Sequence, residues 1–368
     1  MVTAITTIGT ANPPYKRTQQ EASDFMCANF NLSQTEKRIL KSVYKATCIE
    51  YRHSVIADYC KKAGDFTFFP NHPDAPFPTT ADRMKICKDN VPDLALASIH
   101  DCISQQDEFD IKQITHIITV SCTGMYAPGL DIEIIQKLNL KSSIKRTAIN
   151  FMGCYGAFNA LKVADAICQA DNTATVLIVC IEICTIHFQK KMNLDNILAN
   201  SVFSDGSAAM VVQSKPKQNK YLSLESFHCD ILPNASQAMT WHIADTGFDI
   251  VLSSYIPELL QSGISNFTNT LLNQYNLKST NIDFYAIHPG GLKILEACEE
   301  ALSITKEYNH YSYHILKQFG NMSSATVPFV LKTIWNDMSN KDHGKNIFSC
   351  AFGPGLTLES MLLRTVCQ

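Results

Sequence analysis

Apolar runs rich in β-branched residues recur along this chain, each leading through small residues into a run of helical periodicity, and this alternation most restricts the possible fold. "ITHIITVSC" precedes "LDIEIIQKLNL", "TAINF" precedes "GAFNALKVADAICQA", and "TVLIVCIEI" and "SAAMVVQ" follow. Apolar runs without polar alternation suit strands buried on both faces, and their succession with helices predicts an α/β architecture. The second half repeats the theme: "FYAIHPGG" leads into "LKILEACEEAL", "FGNMSSA" into "TVPFVLKTIWNDM", and "IFSCAFGPG" into "LTLESMLL". We therefore expect one kind of unit used twice, as strand, small-residue turn and helix. The polar, Pro-containing stretch "QSKPKQNKY", residues 213–221, is the clearest interruption, and it divides residues 1–218 from 219–368.

One segment stands outside the pattern. "DFTFFPNHPDAPFPTTADRMK" holds four prolines and reads as an extended surface loop, ending in a helix start supplied by Thr and Asp. Hydrophobic residues make up 46% of the chain and the formal net charge is -3, so there is no electrostatic footprint for nucleic acid or a membrane surface. An acidic ligand would need a local basic patch. The most apolar stretch, "ATVLIVCIEICTI", is shorter than a membrane span and carries Glu182. The first twenty residues lack the basic start, apolar core and cleavage site of a secretion signal, so the expected location is cytoplasmic. Fourteen cysteines without a C-x-x-C pair then read as reduced thiols, with no metal site expected.

Three turns carry chemistry. In "INFMGCYGAFNALK", Cys154 lies where a strand gives way to a helix, between Gly153 and Gly156. A helix N-terminus and a nearby imidazole both favour the thiolate, and small neighbours would leave room for a substrate. A buried space-filling cysteine is the plainer alternative. His288, in "YAIHPGG", and Asn321, in "FGNMSSA", occupy similar turns in the second half. Alone, each is more often structural than functional. Together, an imidazole and an amide aimed at one carbonyl oxygen can stabilise an enolate while the thiolate holds an acyl group, which is the chemistry of decarboxylative Claisen condensation. Arg38, Lys41 and Lys45 are spaced to share one helix face, either as a solvated surface or as a patch for the phosphates of coenzyme A.

These motifs resemble the type III polyketide synthases, the chalcone and stilbene synthase family of the thiolase fold. The resemblance rests on "NFMGCYGAFNALK", "VFSDGSAAMVV", "AIHPGGLKILEA", "GNMSSATVPFVL" and "AFGPGLTLESMLL", in family order across nearly the whole chain. It implies a homodimer of αβαβα subunits that loads an acyl-CoA starter on Cys154. His288 and Asn321 would decarboxylate malonyl-CoA, with no metal, carrier protein or cofactor beyond the coenzyme A thioesters used as substrates. Phe203 matches a gatekeeper phenylalanine, and Arg38, Lys41 and Lys45 match basic residues at the coenzyme A tunnel mouth.

Departures from the plant pattern fall where they would alter the product. Cys122, Cys184 and His187 stand where plant enzymes have cavity threonines, while Thr123 and Ser323 resemble the family's polar lining. Trp241 aligns with a second gatekeeper phenylalanine and would narrow the entrance. Ala127 replaces a methionine that plant enzymes insert into the partner's cavity. The stretch "IEICTIHFQ" looks microbial, and a chalcone is not the expected product. A ketoacyl-ACP synthase III, condensing once onto a carrier protein, is the nearest alternative. Further alternatives are an inactive homologue kept as a binding partner, and a hydrolase using Cys154 and His288, for which no carboxylate motif orients the histidine.

Overall fold

The computed structural model describes residues 2–29, 32–72, 74–106, 109–214, 216–233, 235–253 and 255–367. Pro73 of the proline-rich segment and Lys215 of the interruption between the halves lie outside the described residues. The strands are β1 (Thr3–Ala11), β2 (Tyr15–Thr18), β3 (Tyr51–Ser54), β4 (His116–Ser121), β5 (Lys145–Asn150), β6 (Thr175–Ile183), β7 (Asp205–Ser214), β8 (Lys220–Ile231), β9 (Met239–Ala244), β10 (Gly247–Leu252), β11 (Phe284–Ile287), β12 (Asn346–Gly353) and β13 (Thr357–Cys367). The α-helices are α1 (Gln19–Asn29), α2 (Gln34–Ala46), α3 (Thr80–Ile103), α4 (Leu130–Lys137), α5 (Gly156–Ala170), α6 (Leu194–Val202), α7 (Ile256–Asn273), α8 (Leu292–Leu302), α9 (His310–Phe319) and α10 (Thr326–Asp337).

Nine strands hydrogen-bond in the order β11-β12-β13-β8-β1-β7-β6-β4-β5. The halves meet at β1 and β8 through the pairs Ala4↔Ser223 and Ile5↔Leu222. Running inward from β4, next to the edge strand β5, and from β11 at the other edge, β4-β6-β7-β1 and β11-β12-β13-β8 share one succession of pairings: parallel, antiparallel, antiparallel. This is the twofold use of one unit that the alternation predicts. Helices α5 and α10 pack in a core shared with strands of both halves. A second core joins α1, α2 and α3 to the other side of β4, β6 and β7, and a third joins α7 and α8 to β11, β12 and β13. The result is a layered αβαβα arrangement. All nine residues of β6 are buried, as the unbroken apolar run requires when both faces are covered.

Two expectations need correcting. "LTLESMLL" does not form a helix; it lies in β13, paired with both β12 and β8, because a short apolar run between strands satisfies its backbone in the ladder. "FGNMSSA" is not a strand: Phe319 ends α9, and Ser323–Ala325 form a 3₁₀ turn before α10. The proline-rich segment is irregular but not merely superficial. Phe66 and Phe69 are buried against Phe25, and the Asp58 carboxylate accepts the backbone N–H groups of Thr67, Phe68 and Phe69 at 2.7–2.8 Å. At its end Thr79 caps α3 in a reciprocal box with Asp82, as its sequence predicts.

Candidate active site

Cys154 lies between β5 and α5, in a turn built from two left-handed residues, Phe151 (φ 58°) and Gly153 (φ 82°). The glycines serve packing more than access to substrate. A Cβ on Gly153 would sit 2.3 Å from Pro354 Cδ, and one on Gly156 would sit 2.7 Å from Val120 Cγ1 of β4. Only glycine therefore lets this turn close against both halves. Burial pushes the Cys154 thiol up to about 12, opposed by hydrogen bonds from Ser323 and Asn321. Burial thus outweighs the helix terminus that the sequence suggests would favour the thiolate.

His288 follows β11, with its N–H on the Cys350 carbonyl at 2.8 Å. The ring is buried, which pushes the imidazole down to about 3. Neither ring nitrogen has a hydrogen-bond partner among the described residues. A buried imidazole with no partner among the described residues, lining one cavity with a thiol, is able to meet a polar group brought by a substrate.

Asn321 follows Gly320 (φ 69°), where a Cβ would meet the Val202 carbonyl at 2.8 Å. Its backbone clasps Phe203: Asn321 N–H donates to Val202 O at 2.9 Å, and Ser204 N–H donates to Asn321 O at 2.8 Å. The side-chain oxygen accepts the Ser323 N–H at 2.8 Å, and Nδ2 donates to Gly290 O at 3.2 Å. This orients the amide with its NH₂ towards the His288 turn and leaves it a second N–H.

One cavity of ≈350 Å³ brings together Cys154, His288 and Asn321 with Cys122, Thr123, Cys184, Phe203, Trp241 and Ser323. The rest of its wall is chiefly aliphatic, from α2, α6, α7, α8 and the β9–β10 hairpin. Strand ends from both halves converge, with Cys122 just past β4 and His288 just past β11.

Other expected residues lie elsewhere. His187 does not line this cavity but stands behind its wall, because both ring nitrogens are already engaged. Phe248 N–H donates to Nδ1 at 2.9 Å, so Nε2 carries the proton and donates to Thr123 O at 2.7 Å. Ala127 is exposed and borders a separate recess of ≈390 Å³ with Ala148 and Asn150 of β5. Arg38, Lys41 and Lys45 do not line the cavity; they lie exposed on α2, whose Val43 and Ala46 do. Lys41 is paired with Asp24 at 2.8 Å.

Two further residues take places that the sequence reading did not assign. Lys293, in the first turn of α8, lies at the cavity wall. Glu182, the lone charge in the most apolar strand, is fully buried; its carboxylate accepts the Cys122 N–H at 2.9 Å, the Thr123 hydroxyl at 2.8 Å and the Ser324 hydroxyl. Burial raises its pKa against those bonds. A charge in the middle of such a run was the available signal, since it must find buried donors.

Residues 2–216 match the family model for chalcone and stilbene synthases, N-terminal domain, and residues 223–367 match the corresponding C-terminal domain. Over 366 residues the chain is 30% identical to the "Alpha-pyrone synthesis polyketide synthase-like Pks18" of Mycobacterium tuberculosis, covering 98% of this chain and 91% of that protein. It is 31% identical over 369 residues to "Probable polyketide synthase 1" of Dictyostelium discoideum, covering 98% of this chain but only 11% of that much longer relative. Two crystal structures superpose closely. PKS-I from the brown alga Ectocarpus siliculosus gives a TM-score of 0.89 at 28% identity, covering 99% of this chain and 98% of that one. The C-terminal type III polyketide synthase domain of Steely1, a type I/III hybrid from Dictyostelium, gives 0.90 at 28% identity, with full coverage of both chains.

Proposed function

The chain belongs to the chalcone and stilbene synthase family, the type III polyketide synthases of the thiolase fold, and we propose that it builds a small polyketide on Cys154 by repeated decarboxylative condensation. Cys154 Sγ attacks the carbonyl of an acyl-CoA starter while its proton passes to His288, and coenzyme A leaves as the thiol after taking a proton back. Malonyl-CoA then loses CO₂. His288 and the Asn321 N–H not given to Gly290 stabilise the resulting enolate oxygen, and its carbon attacks the Cys154 thioester, releasing the thiolate and a chain longer by two carbons. Return of that chain to Cys154 permits another round, and cyclisation of the pyrone, resorcinol or phloroglucinol type ends it.

The observation that carries this reading is the unpartnered imidazole of His288 in one apolar cavity with Cys154 and Asn321. Coenzyme A thioesters would be the only small-molecule reactants, with no metal or other cofactor. Arg38, Lys41 and Lys45, on the helix whose Val43 and Ala46 line the cavity, would take the phosphates, Lys41 leaving Asp24 to do so. We further assign β5 to a homodimer interface. It ends the sheet with an unpaired edge, next to the recess at Ala127 and the exposed Met125, and such an edge calls for cover.

The test is mass spectrometry of products from purified protein given malonyl-CoA and short, long-chain and aromatic acyl-CoA starters, with the particle mass read by light scattering. Polyketides formed without carrier protein are expected from a dimer, and Cys154→Ala should abolish covalent loading. Absence of malonyl-CoA turnover with every starter would overturn the reading, and dependence on a carrier protein would favour a single-condensation synthase.

A further inference from the structure

The β9–β10 hairpin forms a two-stranded sheet of its own, outside the nine-stranded one. Ile243 and Val251 on it are exposed. A two-stranded ribbon is marginal by itself, so its position depends on what fastens it. At its turn it is held by Gly247 N–H on the Thr80 hydroxyl at 2.8 Å and by Gln189 Nε2 on the Thr246 and Phe248 carbonyls. Further along, two bonds tie it to one dipeptide. Trp241 Nε1–H donates to the Cys122 carbonyl at 2.8 Å, and His187, accepting from Phe248, donates to the next carbonyl, that of Thr123, at 2.7 Å. The His187 ring stacks on Phe248 at 4.2 Å, with Trp241 edge-on at 5.8 Å.

Behind this wall lies a second chamber of ≈30 Å³. Cys184, Phe203, Trp241 and Ile250 border both spaces and so form the partition. The chamber has room for about two waters on the measure where one needs ~15 Å³, and a ketide unit is two water-sized groups, a methylene and a carbonyl.

Resting on the polyketide reading, we propose that the Trp241 indole N–H is a chain-length determinant: its bond to Cys122 holds the hairpin as a partition and keeps the growing chain out of the chamber behind. Phenylalanine at this position would fill the same wall without pinning it. His187 acts through Phe248 and Thr123 as the positioning residue of the same wall.

The experiment compares Trp241→Phe with the unsubstituted protein, using malonyl-CoA and a starter the latter accepts, and reads the ratio of products longer by one malonyl unit to the original ones. The ratio should rise ~5-fold, the factor corresponding to one net hydrogen bond. Ile250→Ala thins the same partition from the paired strand, should raise the same ratio, and serves if the Phe variant does not fold. Because the chain has two tryptophans, Trp335→Phe leaves Trp241 as the sole indole emitter, whose fluorescence should change on loading of the starter. An unchanged ratio in the folded variants, or an emission insensitive to loading, overturns the proposal alone. Failure of the unsubstituted protein to turn over malonyl-CoA overturns the underlying reading and this inference with it.

Discussion

Asn321 commits its single side-chain oxygen to the Ser323 N–H, and that bond decides which way its donors face. Asn321→Ala should therefore slow malonyl-CoA decarboxylation by ~10²–10³-fold, as for loss of one oxyanion donor, while acylation of Cys154 by the starter continues. Release of CO₂ followed beside single-turnover loading checks this, and an equal loss in both steps would assign Asn321 to the fold instead. At this scale the three side chains that share the cavity were legible as candidates in the sequence, because Cys154, His288 and Asn321 each sit in a local small-residue turn. The residues that hold them were not. Glu182 meets Cys122 across 60 positions and Trp241 meets it across 119, separations at which no local pattern reports contact. His187 was legible as a residue near the cavity, but its place behind the wall depends on Phe248 and Thr123, at 61 and 64 positions away.

The connection from β5 to α5 shows how much an element junction can depend on one backbone position. Gly153→Ala would place a methyl group against Pro354 at φ 82°, combining a left-handed strain of about 1–2 kcal/mol with a clash against the opposite half. The urea midpoint should fall by an amount equivalent to at least that strain. An unchanged midpoint would mean the Pro354 loop yields freely. The same scale explains the misread element. "LTLESMLL" is too short and too uniformly apolar for its period to choose between helix and strand, and its choice is made by the open edges of β12 and β8. The start of α3 was readable because Thr79 and Asp82 satisfy each other's backbone within one turn.

Across the whole molecule, burial holds imidazoles neutral in both halves: His187 and His288 are pushed down to about 3, and His53 to about 4. Each folded value lies below the ~6.5 of an unfolded histidine, so the unfolded chain takes up protons first as pH falls. The stability contributed is complete above that value and is lost as pH drops towards the folded one, by about 2 kcal/mol for each fully buried ring at pH 5. Asp205, which burial pushes up to about 7, works in the opposite sense, so one residue must be isolated. His187→Gln can accept from Phe248 and donate to Thr123 as the neutral ring does. Its loss of stability between pH 7 and 5, measured by denaturant unfolding, should be smaller than the wild type's by about 2 kcal/mol. Equal losses would show that His187 does not titrate with folding.

The alternation of apolar runs and helical periods by itself determined a layered α/β chain of two similar halves, and the composition of three turns determined a thiol, an imidazole and an amide at strand and helix ends. Those are local properties, carried by side-chain spacing and by residues that tolerate tight turns. Tertiary structure alone decided that the three turns share a cavity, that Trp241 and His187 pin its wall, that Lys41 rests on Asp24, and that burial pushes the Cys154 thiol up and the His288 imidazole down. The physical reason is that burial and long-range hydrogen bonding exist only once the halves have packed, and it is the loss of water around Cys154 and His288 that sets their protonation.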